Sequence, residues 1–127
     1  MVVQVVDDSD VNLFVMASMV RKMGYAADLH SSPHAALAVC WSSIPDLIIV
    51  DFMMPEMDGI QYIRSIRQTE AGRLVPIVMV TASHDPTVEG RAMEAGANAF
   101  LTKPLRFPEF KAVVSSLLPV CDRDGAA

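Results

Sequence analysis

The sequence predicts a three-layer α/β sandwich in which five parallel strands alternate with five helices, and three observations carry that expectation. Short apolar runs recur at Val2 to Val6, Leu47 to Val50, Ile77 to Val80 and Ala99 to Leu101, with a weaker one around Tyr25 to Leu29. The runs are continuous rather than alternating, as in strands covered on both faces of a parallel sheet. Between them lie segments of helical period, punctuated by capping residues and glycines.

Taken in order, the first strand runs into "VVDDSD", and Val11, Phe14, Val15 and Met19 share the apolar face of the helix that follows. Gly24 stops that helix, and the weak second strand leads to Ser32-Pro33, a capping side chain before a proline at the first helical position. Leu37, Cys40, Trp41 and Ile44 line this second helix. The third strand ends on Asp51, Asp58 can cap the helix that begins at Gly59, and Ile60 and Ile63 open its inner face. The fourth strand is followed by Asp85-Pro86, then by Val88, Ala92 and Ala95 at helical spacing, with Gly96 as the stop. After the fifth strand, Phe110, Val113, Val114, Leu117 and Leu118 form the last apolar stripe. Right-handed crossovers place helices on both faces of such a sheet.

At 127 residues and 52% hydrophobic content the chain fits one domain with one full core, over residues 1–118. Residues 119–127, "PVCDRDGAA", read as a tail or the start of a linker. The net charge of −5 leaves no basic footprint, so binding to nucleic acid is not expected of this domain. Cys40 and Cys121 lack metal-ligand spacing and read as reduced thiols. Without an apolar run of roughly 18 to 20 residues or a signal-peptide pattern, the expectation is a soluble, cytoplasmic protein with no membrane association.

Sheets of this kind bind ligands outside the carboxyl ends of their strands. Asp51 sits at such an end, where a lone aspartate is most often only a turn residue. The other carboxyl ends carry Asp7 and Asp8, Thr81, and Lys103. Each alone has a plain structural explanation as a helix-start acid, a β-branched strand residue or a surface charge. Their convergence on one edge is a stronger signal. Two unit charges about 4 Å apart repel by roughly 4 kcal/mol at an effective dielectric near 20, so crowded carboxylates call for a cation. Oxygen donors with few carboxylates suit Mg²⁺, and Lys103 adds a second positive charge. The set suits a phosphoryl group, with Asp51 as the central nucleophile and Mg²⁺, Lys103 and Thr81 facing the three equatorial oxygens.

In identity, order and spacing, "VDDSD", "VDFMMPEMDG", "VTA" and "GANAFLTKP" resemble the receiver domain of two-component response regulators, the family that includes the chemotaxis regulator of flagellar motors. The resemblance covers residues 2 to about 118. It implies a flavodoxin-like, doubly wound sheet of strand order 2-1-3-4-5. It also implies Asp51 as phosphoacceptor, Asp7 and Asp8 as acidic metal residues, the backbone carbonyl of Met53 as a further Mg²⁺ ligand, Thr81 as switch hydroxyl and Lys103 as phosphate contact. The Lys103-Pro104 bond resembles one that is commonly cis. Phe100 stands where some members carry a switching tyrosine; lacking the hydroxyl, it can act only by filling apolar space.

The function so implied is a signalling switch that catalyses only its own phosphorylation and dephosphorylation. Its donors would be a sensor histidine kinase or a histidine phosphotransfer protein. Its output would be a partner protein or an attached effector domain, through a face made by the fourth helix, fifth strand and fifth helix that could also form a homodimer. The motifs are faintly similar to those of receivers that precede cyclic-dinucleotide phosphodiesterases. A stand-alone aspartyl-phosphate hydrolase is the alternative, but that chemistry wants an acid two residues after the nucleophile, where Met53 stands. A degenerate receiver serving only as a dimerisation module is disfavoured by the intact polar set, and neither nucleotide-loop motif occurs. His30, His34 and His84 read as surface histidines without ligand companions, and Met53, Met54 and Met57 as a loop partly packed on the core.

Overall fold

A computed structural model describes residues 1–83 and 85–118. The expectations for His84, Cys121 and the 119–127 tail lie outside the described residues. The elements alternate as expected: β1 (Val2–Val6), α1 (Asp10–Lys22), β2 (Ala26–His30), α2 (Pro33–Ser42), β3 (Leu47–Asp51), α3 (Gly59–Arg67), β4 (Ile77–Thr81), α4 (Pro86–Ala95), β5 (Ala99–Thr102) and α5 (Phe107–Leu117). All strand pairs are parallel, in the order β2-β1-β3-β4-β5. The register sets Val6 beside Val50, Asp51 beside Val80 and Thr81 beside Thr102, so the carboxyl ends of β1, β3, β4 and β5 share one edge.

Because successive strand residues face opposite sides, the continuous apolar runs feed two cores. Val6, Ile48, Val50, Ile77 and Met79 pack against α2, α3 and α4 through Ala36, Leu37, Ile60, Ile63, Val88 and Ala92. On the other face Val3, Val5, Ile49, Val78 and Val80 pack against α1 and α5 through Leu13, Met16, Val20, Phe110 and Val114. Burial at both faces explains why β3 and β4 have no exposed residue.

The expected caps form at α2, α3 and α4, and Ser9 adds one at α1 that was not anticipated. Ser9 and Ser32 hydroxyls accept the amides of Asn12 and Ala35, and Asp58 and Gln61 form a reciprocal capping box at α3. Gly24 and Gly96 take positive φ after α1 and α4, a conformation that suits glycine.

The expected face of α1 is wrong except at Met19, which is half-buried against the core. The helix buries Leu13, Met16, Ala17 and Val20, while Val11 and Phe14 are 72% and 71% exposed and Val15 is exposed as well. The helix is apolar on most sides, so two stripes at helical spacing compete, and only packing on the sheet decides between them. The exposed stripe borders Phe107, whose ring lies 4.5 Å from the Lys22 ammonium. On α2, Leu37 and Cys40 are buried as expected but Trp41 is exposed.

Gln4, fully buried inside β1, has no counterpart in the sequence reading. Its amide nitrogen donates to the Ala36 carbonyl at 3.1 Å, while its oxygen accepts from the Tyr62 hydroxyl at 2.6 Å and from the Cys40 thiol at 3.5 Å. With both ends satisfied, the amide escapes the penalty of an unpaired buried polar group. Burial pushes the Cys40 thiol pKa up, which keeps it protonated and unreactive.

Candidate functional site: an acidic pocket at the carboxyl edge

Parallel strands ending together bring the polar residues that terminate them into one place. Asp7, just past β1, is fully buried; its Oδ1 accepts the Ser9 amide at 2.9 Å and its Oδ2 accepts the Lys103 ammonium at 3.0 Å. Asp51, at the end of β3 and 5% exposed, accepts the same ammonium on Oδ1 at 3.2 Å. Lys103 therefore bridges two carboxylates that would otherwise face each other. Asp8 is exposed at the rim, and Asp7, Asp8 and Asp51 can each offer one oxygen, all within 4.8 Å of one another.

Burial, and after it the charge of Asp7, push the Asp51 carboxyl up to about 6 against the pull of Lys103. Burial works against the Lys103 charge, but the hydrogen bond it donates to Asp7 and the charge of Asp51 outweigh it and raise the ammonium pKa. One lysine cannot balance three ionised carboxylates. The donor set is oxygen only, half buried and open to solvent at Asp8, which fits a hard divalent cation such as Mg²⁺.

Thr81 is fully buried at the end of β4; its hydroxyl accepts the Ser83 amide at 3.0 Å and its carbonyl accepts the Lys103 amide at 2.9 Å. The Lys103–Pro104 peptide is cis. Phe100, on β5, is half-buried against the core under α4. In the loop after β3, Met54 and Met57 pack on the core as expected, but Met53 is 64% exposed. Asp8, Phe52, Met53, Met54, Pro55 and Asp58 line an open cleft beside the carboxylates.

His30 is half-buried rather than at the surface, His34 is exposed as expected, and each meets a carboxylate without joining the acidic cluster. His30 closes β2, its carbonyl accepts the Asp7 amide at 3.1 Å, and its ring meets Asp28 at 2.8 Å. His34 approaches Glu56 of the β3–α3 loop at 3.7 Å. Parallel pairing beside β1 creates the backbone contact to Asp7 and a loop residue at positive φ the contact of His34, whereas Asp28 and His30 stand two residues apart on the same side of β2.

Gly59 was expected only as a helix start, yet it is part of the pocket's support. Its amide donates to the Phe52 carbonyl at 2.8 Å, and a Cβ there would lie 2.5 Å from the Asp51 carbonyl oxygen and 2.7 Å from Met79 Cε. Gly59→Ala must therefore displace the backbone that carries Asp51. We expect a loss of about 1–3 kcal/mol in urea unfolding, the usual cost of overpacking; a neutral result would mean that the loop yields freely.

The raised Asp51 pKa predicts a second effect. Its ordinary value is 3.8, so the folded state holds this proton more tightly than the unfolded chain does. The resulting stabilisation is complete below about pH 4 and is lost as pH rises through about 6. At neutral pH the ionised carboxylate is a net cost. Asp51→Asn should thus stabilise the metal-free protein at pH 7.5 by up to about 3 kcal/mol, at about 1.4 kcal/mol per pKa unit, and should be near neutral at pH 4. Equal effects at both pH values in urea melts with chelator would contradict the assignment.

A doubly wound sheet whose switch edge carries these carboxylates, a hydroxyl and a bridging lysine defines a receiver domain. Residues 3–115 match the response regulator receiver domain family, and the chain belongs to it. The chain is 28% identical to the polar-differentiation response regulator DivK of Brucella ovis, over 91% of this chain and 94% of DivK. It is 38% identical over 68% of its length to the cyclic di-GMP phosphodiesterase response regulator RpfG of Xanthomonas campestris, of which it spans 23%. The receiver domain of sensor histidine kinase PA1611 from Pseudomonas aeruginosa, solved with magnesium coordinated in its active-site cleft, superposes with a TM-score of 0.84 at 30% identity, over 91% of this chain and 95% of that one. Receiver domains bind Mg²⁺ at an acidic pocket, and the acidic cluster is present here. No helix among the described residues is long and apolar enough to cross a membrane.

Proposed function

We propose that residues 1–118 form a cytoplasmic phosphorylation switch in which Asp51 receives a phosphoryl group from a histidine of a sensor kinase or phosphotransfer protein. The carrying observation is the Lys103 ammonium held between Asp7 and Asp51, at the mouth of a pocket where Thr81 ends the neighbouring strand. An Asp51 carboxylate oxygen attacks phosphorus, the P–N bond breaks, and the donor imidazole keeps the electron pair and takes up a proton. Lys103 leaves one carboxylate contact to meet a phosphoryl oxygen, and Thr81 offers its hydroxyl to another. Asp7, Asp8, Asp51 and the Met53 carbonyl would hold Mg²⁺, which supplies charge neutralisation during transfer.

The output is a change in the α4-β5-α5 face, where Phe100 repacks when Thr81 turns toward the phosphoryl group. That face would engage an output protein, an attached effector domain or a second copy of the chain. The domain catalyses only its own loading and unloading. Exposed Met53 offers an attacking water a weak thioether acceptor, and Ser83 has its hydroxyl oxygen engaged by the Asp85 amide at 3.2 Å, so neither orients the water well.

The test presents the protein with a phosphohistidine phosphotransfer protein and Mg²⁺, following intact mass and free phosphate together. A switch gains one phosphoryl group per chain and releases phosphate slowly. Many turnovers of phosphate per chain on a small phosphomonoester would establish a hydrolase instead.

A further inference from the structure

The three methionines of the β3–α3 loop are placed differently. Met54 is buried in the core and Met57 packs against it, whereas Met53 is 64% exposed, more than any other methionine of the chain. Met1 and Met93 follow at 53% and 44%, and Met16 and Met79 are enclosed. Oxidation of a thioether requires the oxidant to reach sulfur, so exposure puts Met53 first.

Met53 also stands where a change of polarity has a chemical consequence. It lines the open cleft with Asp8, Phe52 and Asp58, two residues after Asp51. The Asp58 carboxylate is committed to the α3 cap, accepting the Gln61 amide at 2.8 Å, and Asp8 belongs to the acidic cluster. A water in this cleft therefore meets in Met53 a neutral group whose sulfur accepts hydrogen bonds weakly.

We propose that Met53 is a reversible oxidation site through which peroxide shortens the life of the phosphoryl group on Asp51. This rests on the proposed phosphorylation of Asp51. A sulfur lone pair attacks one oxygen of hydrogen peroxide, the O–O bond breaks, and the departing hydroxide takes the proton of the new S–OH group. The products are methionine sulfoxide and water; sulfur gives up two electrons and the peroxide accepts them. The sulfoxide oxygen is a far better acceptor than the thioether. A water attacking phosphorus must aim a lone pair at it and give its hydrogens to acceptors, so the oxidised side chain orients a water that the thioether leaves free. Methionine sulfoxide reductases return the side chain to its first state.

The test treats the full chain with hydrogen peroxide and then dithiothreitol, which reverses thiol oxidation, removes both, and loads the protein with acetyl phosphate and Mg²⁺. Peptide mapping should find the first sulfoxide on Met53, ahead of Met1 and Met93, with Met16, Met54 and Met79 untouched. Decay of the phosphorylated protein after donor removal should quicken about fivefold, and the two reductases together should restore the untreated rate. Met93→Leu should respond to peroxide as the parent does, Met53→Leu should decay at one rate with and without peroxide, and Met53→Gln, which brings an amide oxygen, should decay fast untreated. Sulfoxide elsewhere while Met53 keeps its thioether, unchanged or slower decay in protein oxidised at Met53, loss of loading in the oxidised form alone, or acceleration that persists in Met53→Leu overturns the proposal. Failure of untreated protein to load would instead contradict the phosphorylation reading, while the mapping still decides the oxidation site.

Discussion

Asp51→Ala should lose phosphoryl uptake by at least about a hundredfold, the scale of removing a nucleophile whose barrier the pocket lowers by several kcal/mol. Asp51 is the one carboxylate of the cluster that contacts Lys103 while keeping some exposure to solvent, whereas Asp7 is wholly enclosed and Asp8 lies at the rim. Intact mass after incubation with donor and Mg²⁺ measures uptake, and peptide mapping finds the label. Asp51→Asn should fail equally, since an amide oxygen is a poor nucleophile. Label on Asp7 or Asp8 in the parent, or undiminished uptake in Asp51→Ala, would refute the assignment. Lys103→Ala should lower uptake too, because it removes the positive group that contacts Asp51 at 3.2 Å.

The second large effect concerns the metal. Mg²⁺ at a hundred times its dissociation constant should stabilise the parent by about 2.7 kcal/mol, as any ligand specific for the folded state does. Asp8→Asn should remove most of that gain. Asp8 is the exposed member of the cluster, so its loss leaves the fold and the Asp7–Lys103–Asp51 contacts in place while withdrawing one charged oxygen. Thermal melts across a Mg²⁺ titration give the comparison, with metal-free melting points as the control for folding. Equal Mg²⁺ stabilisation in parent and mutant would show that the cation binds elsewhere.

How much of this was legible beforehand varies by residue. The order of elements was, because strand and helix periods, prolines after Ser32 and Asp85, and glycines 24 and 96 act over a few residues each. So was the membership of the pocket: in a parallel sheet every carboxyl end lies on one edge, and Asp7, Asp8, Asp51, Thr81 and Lys103 close those ends.

Long-range geometry decided the rest. Which stripe of α1 faces inward depends on how the helix sits on β1 and β3, and its composition allows two answers. The Lys103 bridge joins residues 96 and 52 positions apart. The Asp51 pKa follows from the burial and neighbouring charges that this assembly creates. Gly59 matters because of an oxygen and a methyl group that only the folded loop brings near it, and Gln4 is tolerated in a core because Ala36, Cys40 and Tyr62 arrive to satisfy it. Local periodicity and covalent order act within a turn or a strand and can be read along the chain, whereas charge, hydrogen bonding and close packing act through space and exist only once distant segments meet.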